Sequence, residues 1–252
     1  MDHRADSAAL IEPPVTAAGL RVKVFADGAD IETIRGLAAD PLIQGFTTNP
    51  TLMRKAGVVD YEEFAREALE IVGERPISFE VFADDFIEMA REARILTALG
   101  DSVYVKIPVT DTSGNSSAAL VSELSAEGIK LNVTGLFTLE QVRTISAALA
   151  DGVPACISLF AGRIADAGID PVPAVRAAVA AIADRPEQEL IWASPREVLN
   201  IVQADEAGCQ IITVTHDLLA KLPSLGKDLN EFSLDTVRMF HRDAVDAGYR
   251  LG

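Results

Sequence analysis

From residue 21 onward, short apolar runs alternate with longer stretches in which apolar residues recur every three or four positions. The short runs are rich in Val, Ile and Phe and read as strands; the spaced stretches read as amphipathic helices. Arg21–Ala26 predicts the first strand, followed by a helix from about Asp30 to Ala38. Gln44–Thr47 predicts a strand that ends in Thr47-Thr48-Asn49-Pro50, and Tyr61–Val72 a helix with Asp60 as its N-cap. Ile77–Phe82 is a strand, and Asp85–Leu99 an amphipathic helix stopped by Gly100. Val103–Ile107 is a strand closed by Pro108, and Asn115–Ala126 is helical.

The rhythm repeats in the second half. Lys130–Thr134, Pro154–Phe160, Leu190–Ala193 and Gln210–Val214 read as strands. Leu139–Ala150, Pro173–Ala183, Glu197–Ala204 and His216–Leu222 read as the helices that follow them. A last helix, Leu234–Ala247, takes Ser233 as its N-cap. Eight strands, each followed by a helix, predict an α/β fold with parallel strands, and in one chain of 252 residues they favour a closed (β/α)8 TIM barrel. No GxGxxG follows a strand, which disfavours a dinucleotide-binding fold. Residues 1–20 read as a flexible N-terminal tail, and residues 21–252 as one barrel domain with an extra C-terminal helix. Val237, Phe240, Val245 and Tyr249 of that helix are expected to cover the barrel mouth or to pack on a neighbouring subunit.

Composition narrows the function. Hydrophobic residues make up 49% of the chain, enough for a sizeable core. The net charge of −16 disfavours nucleic acid and anionic membrane surfaces as partners, although a few local arginines can still bind a phosphate. The tail carries neither a basic n-region nor a long apolar run, so no signal peptide is expected. No segment approaches the roughly 18 apolar residues of a membrane span. Cys156 and Cys209 lie far apart with no CxxC pair, which fits a reducing cytoplasm. His3, His216 and His241 show no metal-ligand spacing.

The candidate chemistry centres on Val103-Tyr104-Val105-Lys106-Ile107-Pro108. One lysine sits inside an apolar, β-branched strand. Taken alone, such a lysine more often runs its stem along the strand and keeps its ammonium in water. Burial, by contrast, favours the neutral amine, which can attack a ketone and form a Schiff base. Barrel sites lie at the C-terminal ends of strands, and polar residues collect there. They are Asp27, Thr48 and Asn49, Glu80, Lys106, Asn132 and Thr134, Ser158 with Arg163 beyond it, and Ser194 with Arg196. Each has a plainer reading: Asp27 and Ser194 as helix caps, Thr48-Asn49-Pro50 as a turn, Arg163 as a solvated loop residue. Together they are the inventory of a carbonyl–amine aldolase with a phosphate-bearing substrate.

Ordered motifs then make the resemblance specific. They are Ala26-Asp27-Gly28-Ala29-Asp30, Phe46-Thr47-Thr48-Asn49-Pro50-Thr51-Leu52, Ser78-Phe79-Glu80-Val81 and Val105-Lys106-Ile107-Pro108-Val109-Thr110. Leu131-Asn132-Val133-Thr134, Ile157-Ser158-Leu159-Phe160-Ala161-Gly162-Arg163-Ile164 and Ala193-Ser194-Pro195-Arg196 follow. In this order, from residue 21 to about 214, the chain resembles the transaldolase family, in particular the short-chain branch that includes fructose-6-phosphate aldolase. Lys-Ile-Pro alone would be a weak signal; the whole set is strong.

The resemblance implies roles. Lys106 would be the Schiff-base nucleophile, Asp27 the general acid and base, and Glu80 with Thr134 the holders of a proton-shuttling water. Thr48 and Asn49 belong to the substrate site, and Asn49, Asn132 and Ser158 would bind a dihydroxyacetone unit. Ser194, Arg163 and Arg196 would receive the phosphate. No cofactor and no metal are expected, because the protonated imine is itself the electron sink.

Transaldolases carry glutamate, asparagine and phenylalanine where fructose-6-phosphate aldolases carry glutamine, leucine and tyrosine. This chain has Glu80, Asn132 and Phe160, which points to transfer of the dihydroxyacetone unit to an aldose phosphate. The alternatives are an aldolase that releases free dihydroxyacetone and a non-catalytic sugar-phosphate-binding relative. One position departs from the family: Pro195 stands where phenylalanine is usual, and that puts Arg196 in doubt as a phosphate ligand. By analogy with short-chain relatives, which use the C-terminal helix to form rings, a homo-oligomer is expected.

Overall fold

The computed structural model describes residues 16–251. Eight strands close on themselves: β1 (Lys23–Asp27), β2 (Ile43–Thr47), β3 (Ile77–Glu80), β4 (Val103–Pro108), β5 (Leu131–Leu136), β6 (Ala155–Leu159), β7 (Gln188–Trp192) and β8 (Ile211–Thr215). Each pairs in parallel with the next, and β1 pairs in parallel with β8. The helices are α1 (Ile31–Ala38), α2 (Pro50–Lys55), α3 (Tyr61–Val72), α4 (Phe86–Thr97), α5 (Ala118–Ala126) and α6 (Leu139–Ala148). They continue as α7 (Ala161–Asp166), α8 (Val172–Ala181), α9 (Leu199–Glu206), α10 (His216–Leu219) and α11 (Leu229–Asp246). This is the (β/α)8 TIM barrel that the strand–helix alternation predicts. The predicted tail falls largely outside the described residues.

Strand parity sorts the side chains into two cores. Val24, Phe46, Ile77, Val105, Val133 and Trp192 point outward and are buried under the helices. Phe25, Cys156, Ile191 and Ile211 form a second cluster, with Tyr104 against it, that fills the barrel interior. Gly45 makes this possible, since a Cβ there would lie 2.5 Å from the Phe25 ring. Above this plug the inward positions turn polar. Register sets Glu80 beside Lys106 and Lys106 beside Asn132, so the polar layer is assembled by the strand pairing itself.

Several boundaries differ from expectation for local reasons. Strand β3 stops at Glu80 rather than Phe82, because the Phe82 and Ala83 amides donate to the Glu92 carboxylate instead of a ladder partner. Helix α4 ends at Thr97 with Ala98 as its cap, ahead of Gly100. The helix expected from Asn115 begins at Ala118: the Asp111 carboxylate takes the Ser113 and Asn115 amides and holds the preceding backbone in a turn. Helix α11 begins at Leu229, capped by Asp228, and Ser233 lies inside it. Helices α2 and α7 were not anticipated.

Helix α11 buries none of its residues. Val237, Phe240, Val245 and Tyr249 are all exposed, so within one chain the expected cover over the mouth does not form.

Candidate active site

A cavity of about 550 Å³ opens at the C-terminal end of the barrel. Of the predicted site residues, Asp27, Asn49, Glu80, Lys106, Thr134, Ser158, Phe160, Arg163, Ser194 and Arg196 line it. Thr48 and Asn132 do not.

Lys106 does not snorkel. It is 6% exposed, and its Nζ donates to the Thr48 main-chain carbonyl at 2.9 Å. The Glu80 carboxylate stands 3.3 Å from the same atom. The amine is thus inside the barrel, held between a carbonyl and a carboxylate. The Tyr61 hydroxyl fixes the strand end beneath Glu80 by donating to its main-chain carbonyl at 3.1 Å.

Across the floor, Thr47 donates to Asp27 at 2.7 Å and shares a second hydrogen bond with the Thr213 hydroxyl. Burial pushes the Asp27 carboxyl above the ordinary aspartate range, and the Lys106 ammonium and the Thr47 hydroxyl only partly offset this. A carboxyl that is costly to ionise and feels the charge of an amine across the barrel is suited to pass a proton in either direction.

Asn132 is fully buried below the surface of the cavity. Its amide donates to Ser78 Oγ at 2.9 Å and its carbonyl accepts from Ser158 Oγ at 2.7 Å. It thereby ties Ser78 to Ser158 and lies behind the residues that line the cavity. The Thr48 hydroxyl donates to the Ser78 carbonyl at 2.9 Å, and the Thr48 main-chain carbonyl accepts from Lys106.

The plainer readings are settled residue by residue. Asp27 is no helix cap, since Asp30 caps α1. Ser194 caps nothing either; α9 follows Val198. Asn49 does cap α2, accepting from the Leu52 amide at 3.0 Å, and it still faces the cavity with its amide nitrogen to spare.

At the rim, α7 and the loop after β7 lie against each other. Ser194 takes φ +62°, the left-handed region, and turns its carbonyl onto α7. Gly162 accepts this approach, because a Cβ there would lie 1.5 Å from the Ser194 oxygen. Arg163 lies over the Phe160 ring, 5.1 Å from its centroid, and Phe137 flanks Phe160 at 5.7 Å. Arg196 is tied to Asp166 through Nε at 3.0 Å and through Nη2. Pro195 is buried, and Asn200 accepts the Arg196 amide at 2.7 Å.

Sequence reading missed Thr47, Thr213, Ser78 and Asp166. Parity could have found two of them, since Thr47 and Thr213 occupy inward positions two residues beyond Gly45 and Ile211. Among the described residues, no group of three or more His, Cys, Asp or Glu side chains could hold a metal ion. No described helix is long and apolar enough to cross a membrane.

Comparison with known proteins bears on this geometry. The fold matches 4-hydroxy-tetrahydrodipicolinate synthase from Methylacidiphilum fumariolicum SolV with a TM-score of 0.57, at 12% identity, over 79% of this chain and 69% of that one. It also matches 2,3-dimethylmalate lyase with a TM-score of 0.52, at 14% identity, over 94% and 90%. These likenesses concern the barrel alone. At the level of sequence, a relative named probable transaldolase from Dehalococcoides mccartyi is 33% identical over 80% of this chain and 90% of its own length. Another of that name from Chelativorans sp. strain BNC1 is 37% identical over 85% and 96%. A third, from Methanococcus maripaludis strain C7, is 37% identical over 80% and 89%. The family model described as transaldolase/fructose-6-phosphate aldolase matches residues 24–251. Since that match takes in every strand of the barrel and the relatives align nearly end to end, the chain belongs to the transaldolase/fructose-6-phosphate aldolase family.

Proposed function

We propose that the protein is a transaldolase that moves a dihydroxyacetone unit from a ketose phosphate to an aldose phosphate through a Schiff base on Lys106. The observation that carries this reading is the buried Lys106 amine between the Thr48 carbonyl and the Glu80 carboxylate, at the floor of a mouth rimmed by Arg163 and Arg196. In this scheme Lys106 Nζ adds to the ketone carbon and water leaves, with Glu80 and Thr134 handling the protons. Asp27 then removes the proton from the hydroxyl two carbons away. The carbon–carbon bond breaks, the aldehyde phosphate departs, and the electron pair comes to rest on the iminium as an enamine. A second aldehyde accepts that pair, Asp27 returns its proton, and water releases the product.

Phe160 supports transfer over release. Its ring is engaged by Arg163 and Phe137 and offers no hydroxyl to a water that would free the donor. Sugar phosphates as substrates are supported by the paired arginines. The bare apolar face of α11 supports a homo-oligomer, which light scattering after size exclusion would test. The two buried free cysteines suit a reducing compartment and so support the cytoplasm.

Borohydride trapping with fructose 6-phosphate, followed by peptide mapping, tests the central step. A reduced three-carbon adduct on Lys106, absent in Lys106→Ala, is expected. Steady release of free dihydroxyacetone without an acceptor would favour the aldolase instead, and no adduct with any ketose phosphate would favour a binding protein.

A further inference from the structure

The two rim arginines are held in different ways. Arg163 lies over Phe160 and forms no ion pair among the described residues. Arg196 has its Nε and Nη2 edge turned onto the two Asp166 oxygens, which leaves both Nη1 hydrogens and the second Nη2 hydrogen free to donate. Asp166 in turn sits one turn beyond Arg163 on α7, near enough for the Arg163 charge to act on it. One short helix therefore carries Arg163 directly and holds Arg196 through a carboxylate.

We propose that Asp166 is a positioning residue for phosphate recognition: it fixes the Arg196 guanidinium at the mouth beside Arg163, so that a phosphate meets two preset cations rather than one. The inference rests on the sugar-phosphate reading above. A carboxylate so close to an anion site could instead compete with the ligand. Two features argue otherwise. Asp166 is half exposed, so water screens its charge from a phosphate beyond Arg196. A free arginine side chain would have to give up its rotamer freedom on binding, a cost that the Asp166 clamp has already met. The buried Pro195, which removes a backbone donor from this loop, makes the side-chain clamp more important.

The test compares wild type with Asp166→Asn, which keeps the shape and loses the charge. Affinity for fructose 6-phosphate and for inorganic phosphate is read by calorimetry. Adduct formation with dihydroxyacetone, which carries no phosphate, is read by borohydride trapping. In Asp166→Asn the affinity for fructose 6-phosphate and phosphate should fall by about tenfold, the loss of one charge-assisted contact. The half-saturating dihydroxyacetone concentration and the final adduct yield should not change. Tighter phosphate binding in the variant would show a competitor, and unchanged binding would show a bystander; either overturns the proposal. An equal loss with phosphorylated and unphosphorylated ligands would also overturn it, as a general structural defect. Failure of dihydroxyacetone to trap on wild-type Lys106 would sink the transaldolase reading instead, while the phosphate measurement would still decide the role of Asp166.

Discussion

Lys106 and Glu80 are register partners on adjacent strands, and the amine stands 3.3 Å from the carboxylate. The pairing of β3 with β4 thus sets the two side by side, and the Thr48 carbonyl holds the amine from the other side. Glu80→Gln keeps the shape but cannot take a proton. Trapping with dihydroxyacetone should slow, by about tenfold because glutamine can still hold the water, and still reach the wild-type endpoint. Quenched time courses read by intact mass would check this. A lower endpoint at the wild-type rate would mean that Glu80 merely holds the lysine in place.

Asp27 should trade stability for activity. Its carboxyl lies above the ordinary aspartate value of 3.8, chiefly through burial. The folded state therefore binds this proton more tightly than the unfolded chain, and folding is weakened once the proton leaves. The penalty is absent below the unfolded value and complete above the raised folded one. Asp27→Asn should melt higher than wild type near pH 8, and the gap should close as the pH falls toward about 4. Transfer activity should drop by roughly 10²–10⁴-fold. Calorimetric melts across that pH range would check the sign, and a variant less stable at neutral pH would contradict it.

Thr213 acts on Asp27 through Thr47. Thr47 has one hydroxyl proton, and it points to Asp27, so Thr213 must donate to Thr47 while Asp27 is ionised. Thr213→Val keeps the volume and deletes that donor. We expect kcat to fall by about threefold to tenfold and the acidic limb of the pH profile to move upward. Thr213→Ser should restore both. A valine variant with an unmoved pH profile would assign Thr213 to packing alone.

The contact between α7 and the loop after β7 should not tolerate a methyl group. Gly162→Ala would place one 1.5 Å from the Ser194 oxygen, a main-chain atom that cannot swing aside. Overpacking of this kind costs about 1–3 kcal/mol or more, and here the upper end is expected. Urea unfolding would measure it, and phosphate affinity should weaken in the same variant. A wild-type midpoint would show that the loop yields freely.

The strands were legible because parallel strands covered on both faces read as unbroken apolar runs. Asp27 was legible because it ends such a run with a charge, and Lys106 because it interrupts one. Helices α2 and α7 were not, since Pro50–Lys55 and Ala161–Asp166 are too short for a 3.6-residue period to register. The start of α11 was misplaced because Ser233 ahead of Leu234 reads as a cap, whereas Asp228 takes that role and Leu229 opens the helix. Thr48 shows the limit of reading strand ends as a group. Thr47 and Thr48 are neighbours, and only Thr47 turns its hydroxyl into the barrel. The Asp166 clamp joins α7 to a loop 30 residues away, a pairing that no local pattern reveals.

The plug of Phe25, Cys156, Ile191 and Ile211 sits directly beneath the reactive layer. It turns the barrel into a cul-de-sac, in which whatever enters must leave by the same door. In the proposed transfer, the first aldehyde would have to clear that doorway before a second could approach Lys106, so the two half-reactions would not overlap in time. Initial-rate plots at several acceptor concentrations should then run parallel, and the order of events would follow from the shape of the vessel rather than from any gate.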